Sequence, residues 1–314
     1  MQLTPQLVQE AAARLSGVVV RTPLVRLGGD GPVTDIYIKP EVLQPIGSFK
    51  LRGAYNALAL IVEEQRPERA STISTGNMSQ AVAWSARHFG LPATAVMPAG
   101  APEAKINATR SYGADIDFIP RDELFLAMED GRYAADAGFV HPFGDPRVAA
   151  GNGTIGLEIL ADLPDVDTIF VPVGGGGLLT GIATAAKSVN PQVRVIGVEP
   201  EGCCAVTRSI KAGEPQSMVC NSFVDSAGSP FVFAESIAAI QRLADDLMTV
   251  PDDATKAAMR RLALRNKLVA EGAGALSVAA ALATPPEVRG KTVCVVSGGS
   301  VDAQLLAEIL TDGR

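Results

Sequence analysis

Histidine, cysteine and basic charge are scarce in this chain of 314 residues, and each scarcity argues against a class of protein. Because only His88 and His141 occur, neither a Ser-His-Asp triad nor a histidine-rich metal site is expected. The formal net charge of −7 argues against nucleic acid or an anionic membrane as a partner, since both bind basic surfaces. No apolar run reaches the ~18 residues of a membrane-spanning helix. With 47% hydrophobic and 19% charged residues, the chain is expected to be globular, with one large or two medium domains.

The four cysteines form no recognisable framework. Cys203, Cys204, Cys220 and Cys294 lack the spacing of zinc ligands, and the adjacent pair is a poor basis for a set of disulfide bonds. We therefore expect reduced thiols, no metal ion and a cytoplasmic protein. Polar and charged side chains spread through the first twenty residues predict an amphipathic helix and not a signal peptide.

Strand-like and helix-like segments alternate along the chain, which predicts βα units around a mostly parallel sheet. In such sheets, ligands bind beyond the carboxyl ends of the strands, where loops enter helices. The turn-rich stretch Phe139–Asn152 is interpreted as a crossing between two lobes. The predicted strands are Asp35–Lys39, Ala70–Ser74, Thr94–Met97, Asp115–Ile119, Thr168–Val173, Val193–Val198 and Thr292–Val296. The predicted helices are Tyr55–Glu64, Ser79–Phe89, Ala104–Tyr112, Asp122–Ala137, Leu178–Val189, Asp252–Ala270 and Val301–Leu310.

Lys50 is a candidate for covalent catalysis. Pro45 and Gly47 break the chain just before it, so Lys50 is predicted to lie at a loop-to-helix junction, where the neighbouring Phe49 shields its amine from water. A partly desolvated lysine loses its charge more easily, and a neutral amine forms a Schiff base with an aldehyde. Taken alone, a lysine at a helix start is more often a solvated surface residue, so the interpretation depends on other motifs.

Four consecutive glycines, Gly174–Gly177, follow an apolar strand and open a helix. Their backbone amides can converge on an anion at the positive end of the helix dipole, which predicts a phosphate site. A nucleotide P-loop is excluded because it needs Gly-Lys-Ser/Thr. A dinucleotide site remains an alternative: Glu199 is suitably spaced for a ribose contact, but Leu179 and Thr180 stand where the fingerprint needs its last glycine.

Three further loops carry polar groups between a strand and a helix or at a helix start. The run Ser74–Ser79 offers hydroxyls, an amide side chain and helix-start amides, which together suit a carboxylate better than a simple helix cap would. Ser297–Ser300 and Gly151–Thr154 are each weak signals alone, and the second is predicted to open a helix.

Taken together and in this order, these motifs resemble the fold type II pyridoxal-phosphate (PLP) enzymes, specifically the serine/threonine dehydratase and serine racemase group. The resemblance runs from Leu24 to Asp302. Its most specific parts are Gly47–Ala54, Gly174–Gly177, Glu271–Ala275 and Ser297–Gly299. It implies an α/β fold of two domains with an open, twisted parallel sheet, like the tryptophan synthase β chain. A large PLP-binding domain would comprise residues 1–49 and 145–314, and a small domain, residues 50–144, would close over the substrate.

The resemblance also implies roles for single residues. Lys50 would hold PLP as a Schiff base and, once the substrate displaces it, remove the α-proton. Ser297 would face the pyridine nitrogen; because a neutral hydroxyl does not keep this nitrogen protonated, expulsion of a β-hydroxyl is favoured over a long-lived carbanion. The other cofactor-binding residues implied are Phe49 beside the ring, Asn77 at the phenolic oxygen, Gly174, Gly175, Gly176 and Gly177 at the phosphate, Glu271 and Gly298. The substrate-binding residues implied are Ser74, Thr75, Gly76, Asn77 and Met78, with Thr75 also a catalytic acid or base.

Several positions depart from the pattern of the group. Thr75 stands where serine is common in racemases, Met78 where histidine is usual, and Asn152 where glutamine is usual. The divalent-metal site of some relatives begins at a glutamate matching Glu199 and needs an acid six positions later, where this chain has Ala205. No metal is therefore predicted.

The segment Asn221–Gly228 departs from the usual Ala-Asp-Gly pattern and resembles dehydratases associated with hydroxyectoine breakdown. The leading hypothesis is a PLP-dependent ammonia-lyase that converts a threonine- or serine-like β-hydroxy amino acid to a 2-oxo acid and ammonia. The alternatives are an amino-acid racemase, a dehydratase of a hydroxyaspartate or hydroxyectoine-derived amino acid, an NAD-dependent oxidoreductase, and a non-catalytic protein that keeps the fold. By analogy we expect a homodimer, a small amino-acid substrate and no C-terminal regulatory domain.

Overall fold

The computed structural model describes residues 2–29, 35–121 and 123–311. Its strands are β1 (Val25–Arg26), β2 (Ile36–Pro40), β3 (Ala70–Ile73), β4 (Ala93–Pro98), β5 (Ala114–Ile119), β6 (Thr168–Pro172), β7 (Arg194–Pro200), β8 (Asp246–Val250) and β9 (Thr292–Val296). Its helices are α1 (Pro5–Leu15), α2 (Lys50–Gln65), α3 (Asn77–His88), α4 (Glu103–Ser111), α5 (Glu123–Glu129), α6 (Pro146–Asp162), α7 (Gly177–Val189), α8 (Ala205–Ala212), α9 (Ala234–Leu243), α10 (Asp252–Arg261), α11 (Gly272–Ala283), α12 (Pro286–Arg289) and α13 (Ala303–Thr311).

The strands form two separate sheets. The larger has the order β1-β2-β9-β6-β7-β8, and the smaller has the order β3-β4-β5. Every pairing is parallel except the short antiparallel pair β1–β2. The α/β fold with parallel sheets predicted from the sequence is therefore confirmed.

Alternating residues of the large sheet face two different hydrophobic cores, because successive side chains of a strand point to opposite faces. In β6, Phe170 packs on one face of the sheet in a core with residues of α10 and α11. Ile169 and Val171 pack on the other face with residues of α6, α7 and α9. Strands β7 and β9 divide their side chains in the same way. Helices therefore cover both faces of this sheet, as parallel sheets require.

Helix α6 begins earlier than the sequence predicted. Pro146 occupies the first turn, and the side chain of Asp145 accepts a hydrogen bond from the Arg147 amide at 2.8 Å, so the stretch has a capped start. The prediction that Gly151–Thr154 opens a helix is wrong, since these residues lie inside α6. The turn-rich stretch is correspondingly shorter than Phe139–Asn152, because it ends where α6 begins at Pro146.

The glycines of α6 serve close helix packing. A Cβ atom on Gly153 would lie 2.7 Å from the carbonyl oxygen of Gly181 in α7, and one on Gly151 would lie 2.4 Å from that of Arg52 in α2. Helices α2 and α7 approach α6 so nearly that larger residues at these positions do not fit.

Other boundaries also differ from the sequence predictions. Strands β1 and β8 and helices α8, α9, α11 and α12 were not predicted, and α2 begins at Lys50, five residues before the predicted start. Helix α5 ends at Glu129, well short of the predicted Ala137, and the predicted start at Asp122 lies outside the described residues. Within the described residues, no helix combines the length and the apolar character needed to cross a membrane.

A disulfide bond joins Cys203 and Cys220, which corrects the expectation of reduced thiols at these two positions. The chain between them turns back on itself, because the amide of Asn221 donates to the carbonyl oxygen of Gly202 at 2.8 Å. The two cysteines, 17 positions apart in sequence, thus meet in space. Cys204 and Cys294 are free and buried.

Candidate functional site

A cavity of about 120 Å³ lies where loops from both sheets converge. Loops after β3, β6 and β9 line it, together with the start of α2, so the cavity lies at the carboxyl ends of these strands. Of the residues predicted for the site, those that line the cavity are Phe49, Lys50, Ser74, Thr75, Asn77, Met78, Gly174, Gly175, Gly176, Gly177, Glu271 and Ser297.

Lys50 is the first residue of α2, as its place between loop and helix predicted. Its Nζ atom donates to the carbonyl oxygen of Pro142 at 2.9 Å and lies 5.2 Å from the centroid of the Phe49 ring. Removal from bulk water lowers the pKa of Lys50 to about 8, although the nearby carboxylate of Glu271 opposes this shift. A useful fraction of the amine is therefore neutral near physiological pH.

The segment before Lys50 is held against the loop after β9. The Phe49 amide donates to the carbonyl oxygen of Ser297 at 2.9 Å, and the amide of Gly299 donates to that of Gly47 at 2.9 Å. Gly47 has φ 72°, a left-handed conformation that glycine adopts without strain. These contacts bring Lys50 and Ser297 to the same cavity, although most of the chain separates them in sequence.

The glycines after β6 shape one wall of the cavity. Helix α7 begins at Gly177, and the first amides of a helix have no acceptor within it, so they are available to an anion. Gly176 has φ 93°, and a Cβ atom on Gly175 would lie 2.2 Å from the ring of Phe143. A glycine is therefore required at position 176 by the turn and at position 175 by the close approach of the Phe143 ring.

The turn that carries Phe143 is stabilised by His141. The Nδ1 atom of His141 accepts hydrogen bonds from the amides of Phe143 at 3.3 Å and Gly144 at 2.8 Å. Burial lowers the pKa of His141 to about 4; Asp145 opposes this shift and Lys50 adds to it. His141 is thus neutral at physiological pH, as an accepting nitrogen must be.

The loop after β3 brings Asn77 to a buried carboxylate. The Nδ2 atom of Asn77 donates to Glu271 Oε1 at 2.6 Å, whereas its Oδ1 atom is buried without a hydrogen-bond partner among the described residues. Asn152 also lines the cavity, and within the same part of the chain its buried Oδ1 atom has no partner. Buried polar atoms without partners are rare, so both point to a polar ligand.

Three residues considered from the sequence do not line the cavity. Gly76 and Gly298 lie just behind it: an added Cβ atom would be 2.4 Å from Lys105 Cδ and 2.6 Å from Glu271 Oε1, respectively. Glu199 is buried elsewhere, and its carboxylate accepts hydrogen bonds from the start of α8, including the Thr207 amide at 2.8 Å. No group of three or more metal-ligating side chains occurs among the described residues.

Several residues at the site were missed from the sequence. Phe125, Met128 and Pro142 line the cavity, and the buried Lys105 contacts Glu271 behind it. Lys105 and Thr109 are spaced four apart and lie on the buried face of α4, where apolar residues are expected, but the sequence alone does not show which face is buried. Phe125 and Met128 gave no signal either, because apolar residues on a helix are ordinarily core.

The residues present fit a cofactor with an aldehyde and a phosphate. The partly neutral amine suits the aldehyde, the helix start suits the phosphate, and the amide of Asn77 and the hydroxyl of Ser297 suit polar ring atoms. The fold and the cavity thus define an enzyme that binds a phosphorylated aldehyde cofactor.

Comparisons with known proteins agree with this class. Residues 15–299 match the family model described as pyridoxal-phosphate dependent enzyme, and the chain belongs to this family. It is 41% identical to an L-threonine ammonia-lyase of Thermotoga maritima over 99% of this chain and 79% of that protein. It is 37% identical to the catabolic L-threonine dehydratase TdcB of Escherichia coli K12, over 96% and 94% of the two chains. The structure of maize serine racemase superposes with a TM-score of 0.88 at 30% identity, covering 98% of this chain and 97% of that one. The family, fold type and cofactor predicted from the sequence are therefore confirmed.

Proposed function

We propose that the protein is a PLP-dependent ammonia-lyase that converts a threonine- or serine-like β-hydroxy amino acid to a 2-oxo acid and ammonia. The observation that carries the proposal is the amine of Lys50, with its pKa lowered to about 8, in the same cavity as the start of α7, Asn77 and Ser297. Two relatives named as threonine ammonia-lyase and threonine dehydratase, at 41% and 37% identity, support the same reaction.

PLP, when bound, withdraws electrons from the α-carbon of the attached amino acid, so that the α-proton becomes acidic. In the proposed reaction the neutral Nζ of Lys50 accepts this proton, the β C–O bond breaks, and the hydroxyl group leaves as water by taking up the proton that Nζ holds. The released enamine then takes up water and yields the 2-oxo acid and ammonia. The carbonyl oxygen of Pro142, 2.9 Å from Nζ, holds the free amine in place before PLP binds.

The remaining roles are proposed residue by residue. The amides of Gly174, Gly175, Gly176 and Gly177 hold the phosphate, Asn77 donates to the phenolic oxygen, and Ser297 faces the pyridine nitrogen. Phe49 and Glu271 border the ring, and Gly298 supports this wall of the cavity from behind Glu271. The loop residues Ser74, Thr75, Gly76 and Asn77 receive the substrate carboxylate, with Met78 behind them and Thr75 as an acid or base.

Spectroscopy and product analysis test the main proposal. Protein saturated with PLP should be yellow, lose that band with borohydride, and carry the reduced adduct on Lys50. Lys50→Ala should keep its circular dichroism but release no 2-oxo acid from L-threonine or L-serine, whereas Lys211→Ala, on the exposed face of α8, should match the wild type. Reduction that labels a different lysine would refute the assignment.

A racemase is the second candidate, favoured by the likeness to maize serine racemase and by the hydroxyl of Thr75 in the cavity. Incubation with each enantiomer of serine, followed by chiral chromatography, separates the two reactions. We expect 2-oxo acid without inversion from the dehydratase. If a racemase activity is found, Thr75→Ala should reduce it far more than elimination.

The substrate panel should include less usual amino acids. Met78 and Asn152 are both buried, and both depart from the pattern that the resemblance to the group implies. Hydroxyaspartate and hydroxyectoine-derived amino acids therefore belong beside threonine and serine in an assay for released ammonia.

We further propose that residues 50–144 form a small domain, that residues 1–49 and 145–314 form the large one, and that the small domain closes over the substrate. The separate sheets β3-β4-β5 and β1-β2-β9-β6-β7-β8 support this division. Limited proteolysis with and without a substrate analogue tests it, since closure should protect the connections between the domains.

By analogy with the group, we propose a homodimer in the cytoplasm. Light scattering tests the first part. Alkylation of thiols during cell lysis, followed by mass spectrometry, tests the second, since a reducing cytoplasm should keep Cys203 and Cys220 as free thiols in spite of their proximity.

A further inference from the structure

Lys105 is a second lysine near the cavity, and its charge is buried. It lies on α4 with 1% of its surface exposed, and its Nζ atom is 2.7 Å from Asp225 Oδ2 and 2.9 Å from Ser226 Oγ. The same atom is 3.6 Å from Glu271 Oε2. Burial opposes the charge, but Glu271 and Asp225 together raise the pKa of Lys105, so it remains cationic.

Glu271 connects this cation to the cavity. Its Oε2 atom accepts from Ser226 Oγ at 3.1 Å, and its Oε1 atom accepts from Asn77 Nδ2 at 2.6 Å. Burial raises the pKa of Glu271, and Lys105 is the main group that opposes this shift. Without Lys105, a proton on Glu271 would therefore be favoured.

The protonation state of Glu271 decides which end of the Asn77 side chain it binds. An ionised carboxylate only accepts hydrogen bonds, so it selects the NH₂ end of the carboxamide, as observed. A protonated carboxyl group would donate instead, and its natural partner is the Oδ1 atom of Asn77, which no donor among the described residues reaches. The second hydrogen of Nδ2 reaches Ser226 Oγ only at a long 3.5 Å, so it remains available for a stronger acceptor.

The protein is also shaped around the stem of Lys105. A Cβ atom on Gly76, in the loop that carries Asn77, would lie 2.4 Å from Lys105 Cδ. Lys105 and Asn77 belong to the elements of the small sheet, whereas Asp225, Ser226 and Glu271 belong to those of the large one. The contacts therefore bridge the two sides of the cavity.

We propose that Lys105 is a positioning residue that acts through Glu271: its charge keeps the carboxylate ionised, and the carboxylate holds Asn77 with its NH₂ group directed to the phenolic oxygen of PLP. Ser226 bridges the two charged groups, since its hydroxyl contacts both Lys105 and Glu271. This inference rests on the proposed function for the presence of PLP at Asn77.

A double-mutant cycle tests the proposed route. Lys105→Met removes the charge and keeps a chain of similar length. Because one charge-assisted hydrogen bond is lost, we expect the Kd for PLP to rise roughly tenfold or more, together with a shift of the cofactor's visible absorption band. Glu271→Gln keeps an oxygen that accepts from Asn77 and needs no cation. Lys105→Met/Glu271→Gln should therefore resemble Glu271→Gln alone in Kd and spectrum.

Controls separate the possible outcomes. Lys211→Met, an exposed change on α8, should leave the Kd and the spectrum unchanged. If Lys105→Met does not fold by circular dichroism, Ser226→Ala takes its place and should shift the band in the same direction. Independent, additive effects of Lys105→Met and Glu271→Gln would overturn the inference, as would an unchanged Kd and spectrum. A wild-type protein that does not bind PLP at all would instead refute the proposed function.

Discussion

At the scale of single residues, burial gives Lys50 its chemistry. The ordinary pKa of a lysine, 10.5, leaves almost no neutral amine at pH 7, whereas a pKa of about 8 leaves roughly a tenth of it neutral. The sequence predicted this residue because a proline, a glycine and an aromatic ring surround it. The extent of its burial was not predictable, because it depends on distant segments such as the one with Pro142, which lies 92 positions away.

The pH dependence of cofactor uptake follows from this pKa. Only the neutral amine reacts, so covalent uptake of PLP by the apoprotein should quicken as pH rises and level off above about pH 8. Below that midpoint the rate should fall about tenfold per pH unit. Stopped-flow absorbance across the neutral and alkaline range measures the profile, with Lys50→Ala as the background. A midpoint near that of a free lysine would contradict the buried environment of Lys50.

Arg52, two residues after Lys50, carries its charge into the protein interior. Its guanidinium contacts both oxygens of the fully buried Glu41, at 2.8 and 2.9 Å, and Glu158 Oε1 at 2.6 Å. Lys39 lies 2.5 Å from the other oxygen of Glu158. The two cations and two anions compensate each other, which explains how all of them tolerate burial.

Arg52→Met should reduce the free energy of unfolding by about 3–5 kcal/mol, because Glu41 would lose the cation that contacts it. Lys39→Met is the matched control. Glu158 would still contact Arg52, and its side chain is 15% exposed, so the free energy of unfolding should fall by less. Urea unfolding followed by circular dichroism measures both. Equal losses would mean that the contact with Glu41 is not the decisive one.

At the scale of elements, the sequence was most informative where periodicity is strong. Strand β9 coincides with its prediction, and β3 and β6 differ from theirs by one residue. Strand β8 was missed because Asp246 and Thr249 interrupt its apolar pattern, and α11 because its run of alanines and glycines has no polar face to mark a helix. Local patterns do not show that a helix is surrounded on all sides.

The run Gly151–Gly153 shows a different kind of error. The sequence indicated a binding loop, whereas the glycines serve the packing of neighbouring helices. Its two glycines contact the backbones of neighbouring helices, and only Asn152 between them reaches the cavity. From one sequence, a glycine that makes room for a phosphate is not distinguishable from one that makes room for a helix.

The packing of α6 against α7 should therefore be sensitive to a single methyl group. Gly153→Ala places a carbon atom 2.7 Å from the carbonyl oxygen of Gly181, and the overpacking should cost about 1–3 kcal/mol of the free energy of unfolding. Ala161→Ser, on an exposed position of the same helix, should change it by less than about 0.5 kcal/mol. Thermal unfolding compares the two. A stable Gly153→Ala protein would show that the helices can move apart.

At the scale of the whole molecule, the sequence predicted the class of fold and about half of the cavity residues, because motifs keep their order along the chain. It did not predict which strands are neighbours. The cavity needs β9 beside β6, which brings Ser297 and the glycines after β6 together, and it needs α4 close enough for Lys105 to reach Glu271. Such contacts depend on the packing of distant segments.

Binding of PLP should stabilise the whole molecule, since the cavity is built by elements of both sheets. At a free concentration about a hundred times the Kd, the free energy of unfolding should rise by about 2.7 kcal/mol, and Tm should rise accordingly. Pyridoxal, which has the aldehyde but no phosphate, should give a much smaller shift at the same concentration, because the start of α7 would stay without an anion. Scanning fluorimetry measures both. Equal shifts of Tm with PLP and with pyridoxal would contradict the assignment of the phosphate to Gly174–Gly177.

The pairing of Gly47–Phe49 with Ser297–Gly299 has a consequence for biosynthesis. A ribosome that has translated the chain as far as Gly299 has only just produced the backbone against which the segment before Lys50 is held. The nascent chain therefore cannot hold its coenzyme stably until the segment as far as Gly299 has left the exit tunnel. Chains that end before Ser297 should therefore remain colourless when PLP is added.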